Sequence, residues 1–216
     1  MVAMRRARRS TLPAAASDVG ASVVAAREPT PTRADPHDAT DAGAFRHAFR
    51  QLASTVALLT LIGRDGRPRG MTVTSMCGLS VDPPMLLVCI DRTTRTHRDL
   101  MATNRFGVDI LAEHQHAIAA RFARTGTDKV VPAEWLMNPT PRGLPHIVGS
   151  VVRLGCTIDA IHAASTHDIV VGRVHWIDVD PRPVAPLLYH DGAFGRLGGD
   201  RIPLALADRA TRLDED

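Results

Sequence analysis

Residues 70 to 84 read Gly70-Met71-Thr72-Val73-Thr74-Ser75-Met76-Cys77-Gly78-Leu79-Ser80-Val81-Asp82-Pro83-Pro84. Threonine and serine hydroxyls lie among apolar and β-branched residues, the composition of a strand rather than a helix. Upstream, Ser54 to Ile62 is a second apolar, β-branched stretch that ends at Gly63-Arg64-Asp65-Gly66. Together they predict a β-hairpin over Ser54 to Ile62 and Gly70 to Leu79. Downstream, Asp82-Pro83-Pro84 has to break the ladder, because proline lacks the amide donor, and Met85 to Ile90 resumes as a buried strand.

Working outward, Thr40-Asp41 is an N-cap for a short amphipathic helix with Ala44, Phe45, Ala48, Phe49 and Leu52 on one face. Thr94 to Asn104 suits a helix capped by Thr94 or Thr96, Phe106 to Leu111 a strand, and Ala112 to Ala123 a further helix. Arg124 to Pro145 is Gly/Pro-rich and reads as a long irregular excursion over the surface. Two long strands come next, Ser150 to Ala163 and Ile169 to Val179, and a last short pair, Leu187 to His190 and Ala193 to Leu197, flanks Asp191-Gly192. About seven strands with two or three helices predict a mainly β fold with inserted helices, a closed or nearly closed antiparallel barrel. A doubly wound sheet would alternate strand and helix, and its Gly-x-Gly-x-x-Gly turn is missing. Residues 1–41 mix Ala, Pro, Thr, Ser and Arg without periodicity and are expected to be a disordered extension. The domain is placed at 42–200, with 201–216 as a tail.

The chain has 216 residues, 44% of them hydrophobic and 23% charged, which is enough to bury the core of one domain, at most two. Its 26 basic against 23 acidic residues give +3, and much of the excess lies in Arg5-Arg6-Ala7-Arg8-Arg9. Beyond that cluster arginines are interspersed with aspartates, so no nucleic-acid face is expected. The apolar runs are too short to span a bilayer. Cys77, Cys89 and Cys156 have no paired spacing, Cys77 and Cys89 read as buried structural thiols, and the protein reads as cytoplasmic and reduced.

Phosphate-loop, nucleophile-elbow and zinc-protease signatures are all missing. His114 and His116 fall on different faces of a helix, and Cys156, His162, His167 and His175 lack a compact ligand spacing, so no metal is expected. What remains is the hydroxyl-rich strand Thr72-Val73-Thr74-Ser75-Met76, with Thr94-Arg95-Thr96 further on at a strand-to-helix junction. Hydroxyls, free amides and a guanidinium at a helix N-terminus can hold a phosphate monoester. From pattern alone the same residues read more readily as a helix cap and as ordinary strand threonines.

Residues 70 to 84 closely resemble the signature stretch of the flavin reductase family. The resemblance runs on through Cys89-Ile90-Asp91-Arg92, Thr94-Arg95-Thr96, Phe106 to Leu111, Phe122-Ala123, Asp128-Lys129 and Cys156 to His167-Asp168-Ile169-Val170-Val171-Gly172-Arg173-Val174, ending near Leu187-Leu188-Tyr189. It implies an FMN-binding split β-barrel. It also implies an NAD(P)H:flavin oxidoreductase that passes a hydride from NADH or NADPH to FMN or FAD and supplies reduced flavin to a separate flavin-dependent monooxygenase. Carried over, Thr72, Val73, Thr74, Ser75 and Met76 would line the isoalloxazine and ribityl chain, and Cys89, Ile90, Asp91 and Arg92 would pass beside them. Thr94, Arg95 and Thr96 would hold the phosphate, and Phe122 and Ala123 would close the site. His167 matches a histidine that the family places near the nicotinamide, as the single candidate catalytic side chain. The chain departs from the family at Ser165-Thr166-His167, where Gly-Asp-His is common, so the carboxylate beside the histidine is lost. Gly78 stands where serine is common.

The family places its flavin at a subunit interface, which implies a homodimer, with Trp135 and Phe194 as candidate anchors. Two other activities fit the same residues: a flavin-binding carrier or sensor without turnover, and an oxidase of the pyridoxamine-phosphate oxidase type on the same barrel.

Overall fold

A computed structural model describes residues 41–138 and 141–198. The expected extension up to residue 40 and the tail from 201 lie outside the described residues. In chain order the elements are α1 (Ala42–Arg50), β1 (Ser54–Thr55), β2 (Ala57–Ile62), β3 (Pro68–Val73), β4 (Met76–Ser80), β5 (Met85–Asp91), α2 (Arg95–Thr103), β6 (Arg105–Ile110), α3 (His116–Ala123), β7 (Val152–Ala164), β8 (His167–Val179), β9 (Leu188–His190) and β10 (Ala193–Gly195).

Seven strands form one sheet in the order β3-β2-β6-β7-β8-β5-β4, with every neighbouring pair antiparallel. Were this sheet flat, strands spaced about 4.8 Å apart would put its edges about 29 Å from one another. Yet only Thr74 and Ser75 separate the edge strands β3 and β4, and three Cα steps reach no further than about 11 Å. The sheet therefore rolls up until its edges come together at that link, where β3 and β4 stay unpaired with each other. The Ser75 carbonyl accepts the Cys89 amide at 3.1 Å, which docks the link itself onto β5.

The hairpin expected over Ser54–Ile62 and Gly70–Leu79 is thus half correct. β2 does pair with β3, from Ala57↔Val73 to Ile62↔Pro68. From Met76 onward the same stretch pairs with β5 instead. Alternating hydroxyl and apolar residues carry no mark of a change of partner, because only the tertiary closure decides it. The first strand is likewise cut at Val56: β1 joins a small separate sheet with β9 and β10. The Asp82-Pro83-Pro84 break is a turn between β4 and β5.

Both faces of β2 are covered, which is why its sequence is apolar apart from Thr60, whose hydroxyl is hydrogen-bonded. Leu59 and Leu61 point into the barrel with Val88, Ile90, Leu100, Phe106 and Val170. Leu58 faces a second cluster with Leu111, Phe122, Ile147 and Leu187. The excursion after Arg124 is therefore more than a surface loop. It buries Val131 and Ile147 in the cluster around Leu58, His146 against Asp109 of β6, and Leu144 near Gly155 of β7. His146 Nδ1 lies 2.9 Å from Asp109 Oδ1, and Thr60 Oγ1 donates to the Pro145 carbonyl at 2.5 Å. Burial pushes the Asp109 carboxyl above its ordinary value, against the opposing pull of His146. Trp135 packs edge-on to Phe122 within this cluster, and Phe194 packs on Tyr189.

α1 forms as expected, capped by Asp41, whose Oδ2 accepts the Ala44 amide at 3.0 Å. None of its residues is buried, and Phe45 and Phe49 stack on each other in the open. The cysteines also differ from expectation: Cys77 is exposed on the edge strand β4 and Cys89 is half-buried. Cys156 is buried, and burial pushes its thiol up to about 12. Among the described residues no helix is long and apolar enough to cross a membrane.

A Cβ at Gly172 would fall 2.5 Å from Phe106 Cζ, whereas one at Gly78 would meet nothing within 4 Å. Gly172→Ala should therefore lower the unfolding free energy by about 1–3 kcal/mol, read as a lower urea midpoint, while Gly78→Ala leaves that midpoint in place. In the native protein a thiol reagent, with mass spectrometry as the readout, should label Cys77 and leave Cys156 unmodified until denaturant is added.

Candidate flavin site

Where β5 ends, the chain turns into α2 through residues that satisfy one another. Asp91 Oδ1 accepts the Thr93 amide at 2.8 Å and the Thr93 hydroxyl at 2.7 Å. The Thr93 amide, with the Thr93 hydroxyl beside it, holds the Asp91 carboxyl below its ordinary value. Thr94 Oγ1 donates to the Asp91 carbonyl at 2.8 Å and accepts the His97 amide at 3.1 Å, so Thr94 is the cap. A single cap satisfies one donor of the helix terminus, and the amides of Arg95 and Thr96 belong to the first turn, which has no intrahelical acceptors. α2 has no acidic residue in that turn, so its positive end is open to an anion.

These groups line a cleft of about 480 Å³, within the range of roughly 300–1,000 Å³ usual for small-molecule sites. Six of the residues singled out in the sequence meet there: Thr72, Thr94, Arg95, Thr96, Phe122 and Ala123. Thr72 Oγ1 donates to the Ala119 carbonyl at 2.8 Å, tying β3 to α3 across the cleft. Met71, Phe122 and Ala123 give it apolar walls, and it is lined as well by Lys129, from the Asp128-Lys129 stretch that carries the resemblance, and by Arg69, which the sequence reading did not single out. The Lys129 amine donates to the Phe122 carbonyl at 2.7 Å, and burial pushes its pKa down. It is therefore a clamp on the loop after α3 more than a free cation.

The remaining sequence-derived residues lie along the strands beside this cleft. Val73 and Ile90 turn their side chains into the barrel core and Met76 packs against it, so Val73 and Ile90 present only main chain. Thr74 and Ser75 form the exposed link between the sheet edges, with Ser75 Oγ donating to the Cys89 carbonyl at 2.9 Å. Cys89, Asp91 and Arg92 sit at the end of β5. His167 is the exposed first residue of β8, opposite Asp91 in the ladder, with Nδ1 2.8 Å from Thr166 Oγ1. It is not among the residues lining the cleft.

No pattern in the sequence signals the groups that hold these parts in register. His97 Nε2 lies 2.7 Å from Asp168 Oδ2, and Arg92 Nε lies 3.7 Å from Asp168 Oδ1. The buried Asp168, next to His167 on β8, thereby joins that strand to the first turn of α2. Arg95 is itself held: its Nη2 lies 3.4 Å from Asp65 and its Nε 3.9 Å from Asp99. Asp65 reads in sequence as a turn residue and nothing more.

A cleft with helix amides and hydroxyls at one end and an apolar wall beside a polar strand fits a phosphorylated polyol attached to a planar ring. Residues 49–198 match the family described as the flavin reductase like domain. The chain belongs to this flavin reductase family. It is 34% identical over 159 residues to the actinorhodin polyketide dimerase of Streptomyces coelicolor, covering 74% of this chain and 88% of that protein. It is 34% identical over 146 residues to an NADH:riboflavin 5'-phosphate oxidoreductase of Streptomyces pristinaespiralis, covering 68% of this chain and 82% of that one. Among solved structures, an NADH:FAD oxidoreductase of Streptomyces globisporus, in complex with NAD and FAD fragments, superposes with a TM-score of 0.67 at 30% identity, over 77% of this chain and 96% of the other. The rolled sheet is the split barrel of these flavin reductases.

If the α2 terminus is the phosphate site, Arg95→Ala should weaken FMN by about 1 kcal/mol, less than a buried charge-assisted contact because Arg95 is 58% exposed. Riboflavin, which has no phosphate, should bind the variant and the wild type alike in a fluorescence titration.

Proposed function

We propose that this chain is an NAD(P)H-dependent flavin reductase, which moves a hydride from NADH or NADPH to FMN or FAD and passes the reduced flavin to a separate flavin-dependent monooxygenase. The observation that carries this reading is the coincidence of two facts. Family membership extends over residues 49–198, and the cleft gathers Thr72, the Thr94–Thr96 triplet, Phe122 and Ala123 around one open helix terminus.

Bound flavin supplies the hydride acceptor, a chemistry that belongs to the cofactor. The chain supplies binding and orientation. Thr94, Arg95 and Thr96 take the phosphate, the main chain of Thr72–Met76 and Cys89–Arg92 runs along the ring and ribityl chain, and Phe122 with Ala123 shuts out water. Amides of the Thr72–Met76 strand act as fixed donors toward negative charge on the ring. His167 contacts the nicotinamide. Its place directly across the ladder from Asp91 offers a carboxylate neighbour in a chain that has Thr166 where relatives of the family commonly have aspartate. Two copies form the working unit, a reading supported by the uncovered Phe45, Phe49 and Leu52. The three free thiols suit a reducing compartment, and we place the protein in the cytoplasm.

Purified protein mixed with NADH or NADPH and each flavin should consume the nicotinamide in a flavin-dependent way, monitored by absorbance. Flavin binding without consumption from either donor would mark a carrier instead. His167→Gln should lower kcat/KM for the nicotinamide about tenfold, the size of one lost contact of about 1.4 kcal/mol, and leave flavin affinity unchanged.

A further inference from the structure

The turn between β2 and β3, Gly63-Arg64-Asp65-Gly66-Arg67, packs beside the first turns of α2. The Arg64 amide donates to Asp99 Oδ1 at 3.5 Å and Arg64 Nη2 to the Arg98 carbonyl at 3.2 Å. Four ionised side chains meet between them. Arg69, 2% exposed, bonds Asp65 through Nη2 and lies 3.2 Å through Nε from Asp99 Oδ2. The second contact is poorly aligned, since neither atom has a hydrogen-bond partner. Arg95 reaches the same two carboxylates from the other side, at 3.4 and 3.9 Å. Two guanidiniums meet two carboxylates here, with Arg64 and Arg98 beside them, and Arg95, which lines the cleft together with Arg69, Arg124 and Lys129, is already faced by two anions.

The two carboxylates differ in what they can do. Asp99 is 5% exposed and fixed beneath Arg69, whereas Asp65 is 37% exposed at a turn tip. Partial desolvation pushes the Asp65 carboxyl up, but the Arg67 amide and the Arg69 and Arg95 guanidiniums outweigh it, and the group stays below its ordinary value. It is an anion throughout the neutral range.

We propose that Asp65 competes with the flavin phosphate for Arg95, and so sets both the preference for phosphorylated over unphosphorylated flavin and the ease with which flavin leaves. The inference rests on the flavin reductase reading and deepens it. A phosphate dianion arriving at Arg95 meets a carboxylate about one contact distance beyond the guanidinium, so part of the attraction is cancelled by repulsion. A protein that hands its flavin to a second protein has to hold the phosphate weakly enough to let go.

The test is a titration of FMN and of riboflavin, by flavin fluorescence, against wild type, Asp65→Asn and Asp65→Asn combined with Arg95→Ala. Asparagine keeps an oxygen for the Arg67 amide, which Asp65 Oδ1 accepts at 3.2 Å, and thermal melting checks that each variant is folded. FMN should bind Asp65→Asn about three- to tenfold more tightly than wild type, a gain that shrinks at high salt, with riboflavin unchanged. The gain should vanish when Arg95 is also replaced. Weaker FMN binding in Asp65→Asn would overturn the proposal by showing that Asp65 positions Arg95, and so would equal changes for both flavins or none for either. A wild type that binds neither flavin would bring down the reductase reading and this inference with it, a result distinct from normal flavin binding that ignores Asp65.

Discussion

The rest of the molecule depends on the shortness of one link. Thr74 and Ser75 join strands that stand at opposite edges of a seven-stranded sheet, so the sheet must close. Closure turns the two halves of one hydroxyl-rich stretch toward different partners, β2 before the link and β5 after it. It also brings the end of β5, and with it the first turn of α2, close to β3. Thr72 on β3 and Thr94 at the cap are 22 positions apart in sequence, yet they line one cleft because the barrel has no room to separate them.

The chemistry at that cleft is built from small offsets of charge more than from any reactive side chain. A capped helix terminus presents amides, Arg95 adds a guanidinium, and Asp65 and Asp99 draw part of that positive charge away. In the same first turn of α2, His97 is tied by Asp168 to the strand that starts at His167. One helix turn therefore links both groups of ion pairs. Hydride transfer between two bound cofactors needs position and field, and these are what the chain provides.

Much of the fold was legible in sequence because its signals are local. Asp82-Pro83-Pro84 stops a ladder wherever it stands, Thr94 caps the helix that begins at Arg95, and the continuous apolar run of β5 declares a strand. The illegible part depends on closure or on pairs far apart in sequence. No local pattern tells that Gly70–Leu79 changes partner at Thr74. The excursion after Arg124 looks like surface because of its glycines and prolines, while its burial comes from Ile147 and His146 meeting β2 and β6. Cys77 reads as a buried structural thiol because no resolving cysteine is near it in sequence, but β4 is an edge strand exposed from Cys77 onward. Of the cleft lining, Thr72 and the Thr94–Thr96 triplet were singled out through the family resemblance, since type and position alone favoured a cap and ordinary strand threonines. Asp65, Arg69, Asp99 and Asp168 were not, since each acquires its role only through an ion pair to a distant residue.

A crystal structure of the protein with FMN tests the account most directly. The phosphate should lie against the first turn of α2, within hydrogen-bond distance of the Thr94–Thr96 groups, with the ring system along Thr72–Met76 and one face open toward His167. A flavin bound elsewhere, with the α2 terminus contacting only solvent, would contradict it.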